Sequence, residues 1–386
     1  MSGRSLRASI NQMEVGTLQE VAGLWSFQYG AGWLGNPRGF ALSPHLPLTA
    51  ETLLDGASKR PVQWYFDNLL PEEGQRVLLA GDAKLDAADA FGLLAWYGAE
   101  SAGSVTLLPP DAAPQKAEPL RPLPDDALEA RIRQLPKPPL THAAIKRMSL
   151  AGAQHKLAVV LQDDALFEPA GATPSTHVLK PDHPDEDYPH SVINEWFVMR
   201  LAKRLGLDVP EVHRRYVPSP VYLIDRFDRI PDGQSWQRRH VIDACQLLGL
   251  DRSFKYSQGS MESLAAPANA CRSPAVARAR LFGWLVFNVL VGNSDAHLAT
   301  LGWLDAHRNM LIKVHRGTVG LSVGAYDPDV NAPKGTLTGL SARRTFDMYR
   351  WRLTPELSIM QLSAGQDVGV NKRTNVRLGM EIQIFL

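Results

Sequence analysis

Four short stretches of the 386-residue chain carry residue types that could do chemistry together. The first is Ser149-Leu150-Ala151-Gly152-Ala153-Gln154-His155-Lys156. Its small residues let backbone N–H groups approach an anion closely, and a following strand would hold the turn, so the loop could cover nucleotide phosphates. It is neither a Walker A sequence nor GxGxxG. The second is Lys180, at the end of a β-rich run, with Glu195 in the helical stretch that follows. A strand lysine held by a helix glutamate is one way to fix α- and β-phosphates. The third is Asn293-Ser294-Asp295-Ala296-His297, directly after a long apolar run. A polar cluster at that place is costly unless satisfied or functional, and Asp295 could take a proton from a substrate hydroxyl. The fourth is Ala325-Tyr326-Asp327, where a loop aspartate downstream of such a base would suit Mg²⁺. Taken singly, these four also read as a tight turn, a surface lysine with a solvated glutamate, a helix-terminating turn and an aspartate in a turn before Pro328.

Other patterns are set aside on physical grounds. Gly320-Leu321-Ser322-Val323-Gly324 matches GxSxG, but a nucleophile elbow needs a helix immediately after it, and Pro328, Asn331 and Pro333 follow. His297 and His307 lack HExxH spacing, so no zinc site is expected. Arg214-Arg215 and Arg238-Arg239 read as solvated faces. A formal net charge of +1 argues against a dedicated polyanion binder, and 45% hydrophobic residues exclude wholesale disorder. Two cysteines, Cys245 and Cys271, exclude a disulfide framework and a four-cysteine zinc site, and fit a reducing compartment. Met1–Val15 holds no apolar core of a signal peptide. The apolar run near Leu281–Val291 is shorter than the roughly 20 residues a bilayer requires. A cytoplasmic protein without membrane contact is the expectation.

The elements that must position these residues divide by composition. Residues 1–108 read as a small mixed unit. Its strands are Val15–Leu18 and Leu24–Tyr29, and its helices Val62–Leu70, Glu72–Leu79 and Asp89–Tyr97. Residues 109–140 are a proline-rich linker with one short helix at Asp126–Leu135. A domain from 141 to 386 then alternates strands Leu157–Gln162, Thr176–Leu179 and Val221–Ile224 with a helix at Val192–Leu205. That helix has an apolar set of Ile193, Trp196, Phe197, Met199, Leu201 and Leu205. Residues 231–300 read as mainly helical, best at Pro274–Val291, with no helical stripe after Pro355.

In order, these pieces resemble the HipA-like serine/threonine kinases, toxins of bacterial type II toxin–antitoxin pairs. Phe66-Asp67-Asn68-Leu69-Leu70-Pro71-Glu72 is the most specific N-terminal match, beside Val15–Leu18, Phe91–Leu94 and Ala102-Gly103. Ser149–Lys156 is similar to the family's SxAGAQxK loop, and Thr176–Lys180 to its ATP-lysine strand. Tyr222–Arg229 resembles the hinge that meets adenine, and Asp243 with Gln246 the next block. Gly292–His297 is similar to the catalytic-loop pattern GxxDxH. The resemblance runs from about residue 15 to 300.

The resemblance implies an α+β, bilobal kinase-like fold with a β-rich N-terminal accessory domain and a mainly helical C-terminal lobe. It implies ATP and Mg²⁺ as cofactors. Ser149, Ala151, Gly152, Ala153, Gln154, Lys156, Lys180, Asp225 and Phe227 would hold the nucleotide. Asp295 and His297 would be catalytic, Asp327 and Thr300 would hold metal, and Ser149 would be the autophosphorylation site. It implies a HipB-like DNA-binding antitoxin as partner and an aminoacyl-tRNA synthetase as substrate. The chain departs from the family's DxHxxN loop, because Thr300 stands where its asparagine would be. From about 308 the lobe reads as altered or cut short. Two rival readings stay open: a catalytically impaired kinase remnant, and an antitoxin- or DNA-associated regulatory module.

Overall fold

The computed structural model describes residues 3–113, 115–150, 152, 154–233, 235–254, 267–269 and 271–293, with the backbone of strands between 303 and 384. The chain divides into two units. One is Met1–Leu281 with His297–Val314; the other is Phe282–Ala296 with His315–Leu386.

The first unit opens with an antiparallel sheet ordered β4-β3-β2-β1-β5. Its strands are β1 (Arg4–Ile10), β2 (Met13–Val21), β3 (Leu24–Tyr29), β4 (Leu53–Leu54) and β5 (Val105–Leu108). Alternation fixes its inner face: Leu6, Ala8 and Ile10 of β1 and Trp25, Phe27 and Tyr29 of β3 are buried. Two-residue loops at Asn11-Gln12 and Ala22-Gly23 join the first three strands, with positive φ at all four residues. That conformation makes the tight hairpin loops whose twist suits the strands.

Four helices cover this sheet: α1 (Ala31–Leu34), α2 (Pro61–Asp67), α3 (Glu73–Ala83) and α4 (Ala90–Tyr97). Helix α2 starts at a proline, and the Asp55 carboxylate accepts from the N–H groups of Val62 and Gln63 at 2.8 and 2.9 Å. These are among the donors a helix start leaves without partners. Asp89 caps α4 rather than lying inside it, accepting from the Gly92 N–H at 3.0 Å. Phe66 of α2 meets Phe27 at 5.4 Å, and Phe91 of α4 meets Trp25 edge-on at 5.1 Å.

A second sheet is ordered β10-β11-β9-β7-β8-β6. It comprises β6 (Arg121–Pro122), β7 (Leu157–Gln162), β8 (Ala165–Glu168), β9 (His177–Pro181), β10 (Val212–Tyr216) and β11 (Pro220–Asp225). Leu157, Val159, Leu179, Val221 and Leu223 share a core with Leu128 of α5 (Asp125–Ile132). Helix α6 (Ser191–Arg204) turns a different face inward from the one its apolar residues suggest. Val192, Glu195, Val198, Met199 and Ala202 are buried, whereas Ile193 and Phe197 are exposed. The buried ion pair of Glu195, described below, sets this rotation.

The stretch expected to turn helical after 231 begins instead with strands β12 (Arg229–Asp232), β13 (Ser235–Arg238) and β14 (Val241–Asp243). Only then do α7 (Ala244–Leu248) and α8 (Pro274–Leu290) follow. The Asp243–Gln246 pair is a capping box: Asp243 accepts from the Gln246 N–H at 2.7 Å, and Gln246 accepts from the Asp243 N–H at 3.0 Å. Strand β14 pairs with β15 (Trp303–Asp305), and β15 with β16 (Met310–Leu311).

In the second unit, β17 (Ser322–Val323), β18 (Gly335–Arg343), β19 (Phe346–Met348), β20 (Trp351–Ala364) and β21 (Arg373–Ile384) form an antiparallel sheet, with β20 pairing to β18, β19 and β21. Ser322 lies within a strand, whereas a nucleophile elbow puts its serine in the turn beyond one. No helix among the described residues is long and apolar enough to cross a membrane.

Within the first unit, one carboxylate joins the N-terminal segment to the second sheet. Glu100, in the turn after α4, is fully buried. It accepts from Lys146 at 2.9 Å, Arg226 at 3.1 Å, Arg229 at 2.8 Å and Arg238, and also from the Ser175 hydroxyl. Asp228 adds a second buried carboxylate against Arg226 and Arg229. Arg238 is therefore not part of a solvated face. Burial alone would raise the Glu100 carboxyl; the charges of Arg238, Lys146, Arg229 and Arg226 outweigh it and hold it well below the usual range. Removing one partner of a buried ion pair costs about 3–5 kcal/mol. Glu100→Gln, which takes the carboxylate from Lys146 and Arg238 and leaves Asp228 alone against Arg226 and Arg229, is expected to lose at least that amount in urea unfolding. Because the folded pKa is depressed, this stabilisation is complete above the unfolded value of 4.5 and is lost as pH falls below it. An acid titration of the melting temperature should show a steeper slope there in wild type than in the Gln variant, which keeps the depressed carboxyls of Asp225 and Asp228.

Candidate functional site

Lys180 lies on β9 and Glu195 on the second turn of α6. The ammonium donates to Glu195 Oε2 at 2.7 Å, with both side chains buried. It also donates to Gln154 Oε1 of the Ser149–Lys156 loop at 3.2 Å and lies 5.7 Å from the centre of the Tyr222 ring. The strand register puts Tyr222 opposite Lys180, so both project from the same face of the sheet. Strand, helix and loop thus meet at one cation.

Among the described residues of the loop, Gly152 and Lys156 come close together. Gly152 sits at φ +106°, and a Cβ built there would come within 2.7 Å of Lys156 Nζ. Only glycine takes this conformation readily, so the lysine can fold close over the backbone. Ser149 at the head of the loop is fully buried. Its N–H donates to the Glu100 carbonyl at 2.8 Å and its hydroxyl to the Leu69 carbonyl at 2.7 Å. Leu69 belongs to the Phe66–Glu72 string, whose Asn68 donates to the Leu250 carbonyl at 3.1 Å. The string that distinguishes the N-terminal segment is therefore also the anchor of the loop.

At its far end β11 runs into Asp225-Arg226-Phe227. Arg226 points into the Glu100 cluster, and its N–H donates to the Thr176 carbonyl at 2.8 Å. A cavity of about 280 Å³ opens beside this segment, with Asp225, Phe227 and Trp236 in its lining. Lys180 and Gln154 do not line it, so the cavity and the lysine cluster are separate places. Burial would raise the Asp225 carboxyl, but His177 and His213 outweigh it and hold it low.

Helix α8 ends at Leu290, and Gly292 follows at φ +64°. Asn288 donates to the Trp284 carbonyl at 2.7 Å, and the Asn293 N–H to the Asn288 carbonyl at 2.8 Å. The polar residues after this apolar helix are thus partly accounted for as its termination. Asp295, His297, Thr300 and Asp327, and also Ala151 and Ala153, lie outside the described residues. Sequence reasoning missed Glu100 and Lys146, read Arg238 as a solvated face, and gave Arg226 and Arg229 no partner; together these residues tie the end of β11 and the start of the loop to the N-terminal segment.

Comparison with known proteins gives two family matches. Residues 6–108 match the HipA N-terminal domain, and residues 148–312 match the HipA-like C-terminal domain. The chain is 38% identical over 291 residues to the kinase-like Y4mE of Sinorhizobium fredii, covering 72% of this chain and 68% of that one. It is 31% identical over 314 residues to the serine/threonine-protein kinase toxin HipA of Shewanella oneidensis, covering 76% and 70%. Among solved structures it is similar to the Shewanella oneidensis complex of HipA, HipB and operator DNA. There the TM-score is 0.65 and the identity 29%, over 81% of this chain and 76% of that one.

His155, inside the loop, adds a titratable group. It is buried, and its Nδ1 has no hydrogen-bond partner among the described residues. Burial, and then His183, push its pKa down to about 4 from an ordinary 6.5. The unfolded chain takes up this proton first, so the stability His155 contributes is complete above pH 6.5 and is lost as pH falls toward 4. The urea midpoint is expected to fall across that window more steeply in wild type than in His155→Gln.

Proposed function

The chain belongs to the HipA-like kinase family, and from that premise we propose that it is an ATP- and Mg²⁺-dependent serine/threonine protein kinase acting as the toxin of a toxin–antitoxin pair. The observation that carries the reading is the buried Lys180–Glu195 pair with Gln154 of the glycine-containing loop on the same ammonium. Phosphoryl transfer needs little covalent chemistry from the protein; it needs a nucleotide held still and charge neutralised. Lys180 would hold the phosphates, with Ser149, Ala151, Gly152, Ala153, Gln154 and Lys156 as the loop above them. The segment from Asp225 to Phe227 would meet the base. Asp295 would orient the substrate hydroxyl, with His297 beside it in sequence. Asp327 and the Thr300 hydroxyl would hold the metal, whose part is to neutralise charge on the phosphates.

The division into an accessory domain at 1–108, a connector at 109–140 and a kinase-like domain at 141–386 belongs to this proposal. So do a cytoplasmic location and a HipB-like antitoxin partner, the latter supported by the similarity to a HipA–HipB–DNA complex. An aminoacyl-tRNA synthetase substrate and phosphorylation of Ser149 are its finest parts. With its hydroxyl buried against Leu69, Ser149 would have to leave this position to accept a phosphoryl group.

Thr300, in place of the family's asparagine, supports a second reading, a catalytically impaired kinase. Labelling with γ-³²P-ATP decides between them. Wild type is expected to incorporate label, and Asp295→Ala to fall by about 10²–10⁴-fold, the usual contribution of a general base. Lys180→Met should lose nucleotide binding as well. If wild type binds Mg-ATP without transfer and Thr300→Asn restores it, the impaired reading stands. If wild type neither binds nor transfers, the kinase reading fails.

A further inference from the structure

We propose that His177, His213 and Asp225 form a site for a zinc-class divalent metal ion, on the face of the second sheet opposite Lys180. Three neighbouring strands supply one ligand each. His177 is on β9, His213 on β10 and Asp225 on β11. The register sets Asp225 opposite His177 and His213 opposite Leu223, two residues back along β11. Residues two apart share a face, so all three side chains leave the same side of the sheet. That side is opposite the one carrying Lys180 and Tyr222.

The distances suit a metal. His177 Nε2 lies 3.0 Å and His213 Nε2 3.3 Å from Asp225 Oδ1, and the three donor atoms lie within 4.8 Å of one another. Ligands at about 2.0–2.1 Å from a tetrahedral zinc ion are separated by about 3.3 Å. Asp225 Oδ1 is buried against these two imidazoles, which hold its carboxyl low. Donor atoms converging on a shared cation would account for this closeness. The other nitrogen of His177 lies 2.7 Å from the Thr176 hydroxyl, which frees Nε2 for the ion and orients the ring.

The donor set selects the metal class. Two imidazoles with one carboxylate suit Zn²⁺ and its first-row neighbours, whereas Ca²⁺ and Mg²⁺ prefer oxygen ligands. The side chains of His213 and Asp225 are 48% and 42% exposed, and the 280 Å³ cavity opens beside His177 and Asp225. Solvent can therefore supply the fourth ligand. A bound ion would clasp three strands where β11 enters the segment pinned by Glu100. This inference does not depend on the kinase reading.

The test is Co²⁺ binding by metal-stripped full-length protein, with millimolar Mg²⁺ present to saturate any magnesium site. One Co²⁺ per chain, with the visible absorption of a four-coordinate ion and displacement by Zn²⁺, is the expected result. His213→Ala, on the exposed side of the cluster, and Asp225→Asn should each weaken binding at least about tenfold. Circular dichroism checks that both variants are folded. Absence of Co²⁺ binding by wild type, or unchanged binding by a folded His213→Ala, overturns the proposal.

Discussion

A single carboxylate shared by four cations fixes the N-terminal segment of the first unit against the second sheet. Glu100 and Asp228 face Lys146, Arg226, Arg229 and Arg238, so the buried cluster carries more positive than negative charge. Such an arrangement persists only if the excess is absorbed by dipoles. Carbonyl oxygens of Ser101, Gly103, Thr173 and Ser175 do this, each accepting from one of the cations. Burial and the neighbouring Arg226 still push the Arg229 guanidinium down to about 10. A cluster this constrained is weak evidence for net stability. Its consequence is geometrical: few other arrangements of these segments satisfy so many buried groups at once.

What it arranges is the surroundings of Lys180. Lys146 leads into the Ser149–Lys156 loop, and Arg226 and Arg229 follow the end of β11. Both are tied to a residue of the N-terminal segment. The Phe66–Glu72 string makes a parallel set of ties, through Leu69 to Ser149 and Asn68 to Leu250, while Tyr65 just before it accepts from Gln246. The N-terminal segment therefore anchors the loop and the end of β11 beside the candidate nucleotide site rather than standing apart as an appendage.

This division explains what the sequence could disclose. Strands Leu24–Tyr29 and Leu157–Gln162 were legible to the residue because their alternation or apolar run is local. The ion pair of Lys180 and Glu195 was legible as a pairing of residue types. The rotation of α6 was not, because its inward face is built around a glutamate and its exposed face carries Ile193 and Phe197. Arg238 looked like part of a solvated face and Glu100 carried no local signal, since only tertiary structure reveals that they pair. The strand β21 carried a period-two signal, with Val376, Leu378, Met380, Ile382 and Ile384 alternating with Arg377, Gly379, Glu381 and Gln383. A search tuned to helical stripes passes over it.

Strand register is the remaining step between these observations. In β9 and β11, Lys180 and Tyr222 occupy one face, while His177, Leu179, Leu223 and Asp225 occupy the other. A slip of one residue would exchange the faces, taking Lys180 away from Glu195 and driving a charge into the core around Leu179 and Leu223. The apolar residues resist that slip along the middle of the strands. At the end of β11 the resistance comes from Arg226, whose side chain cannot leave Glu100 and Asp228 without stranding buried charge. The same register that delivers Lys180 to one face gathers two histidines and an aspartate on the other. Their coming together is thus a consequence of how the lysine is held, and no linear motif could have announced it.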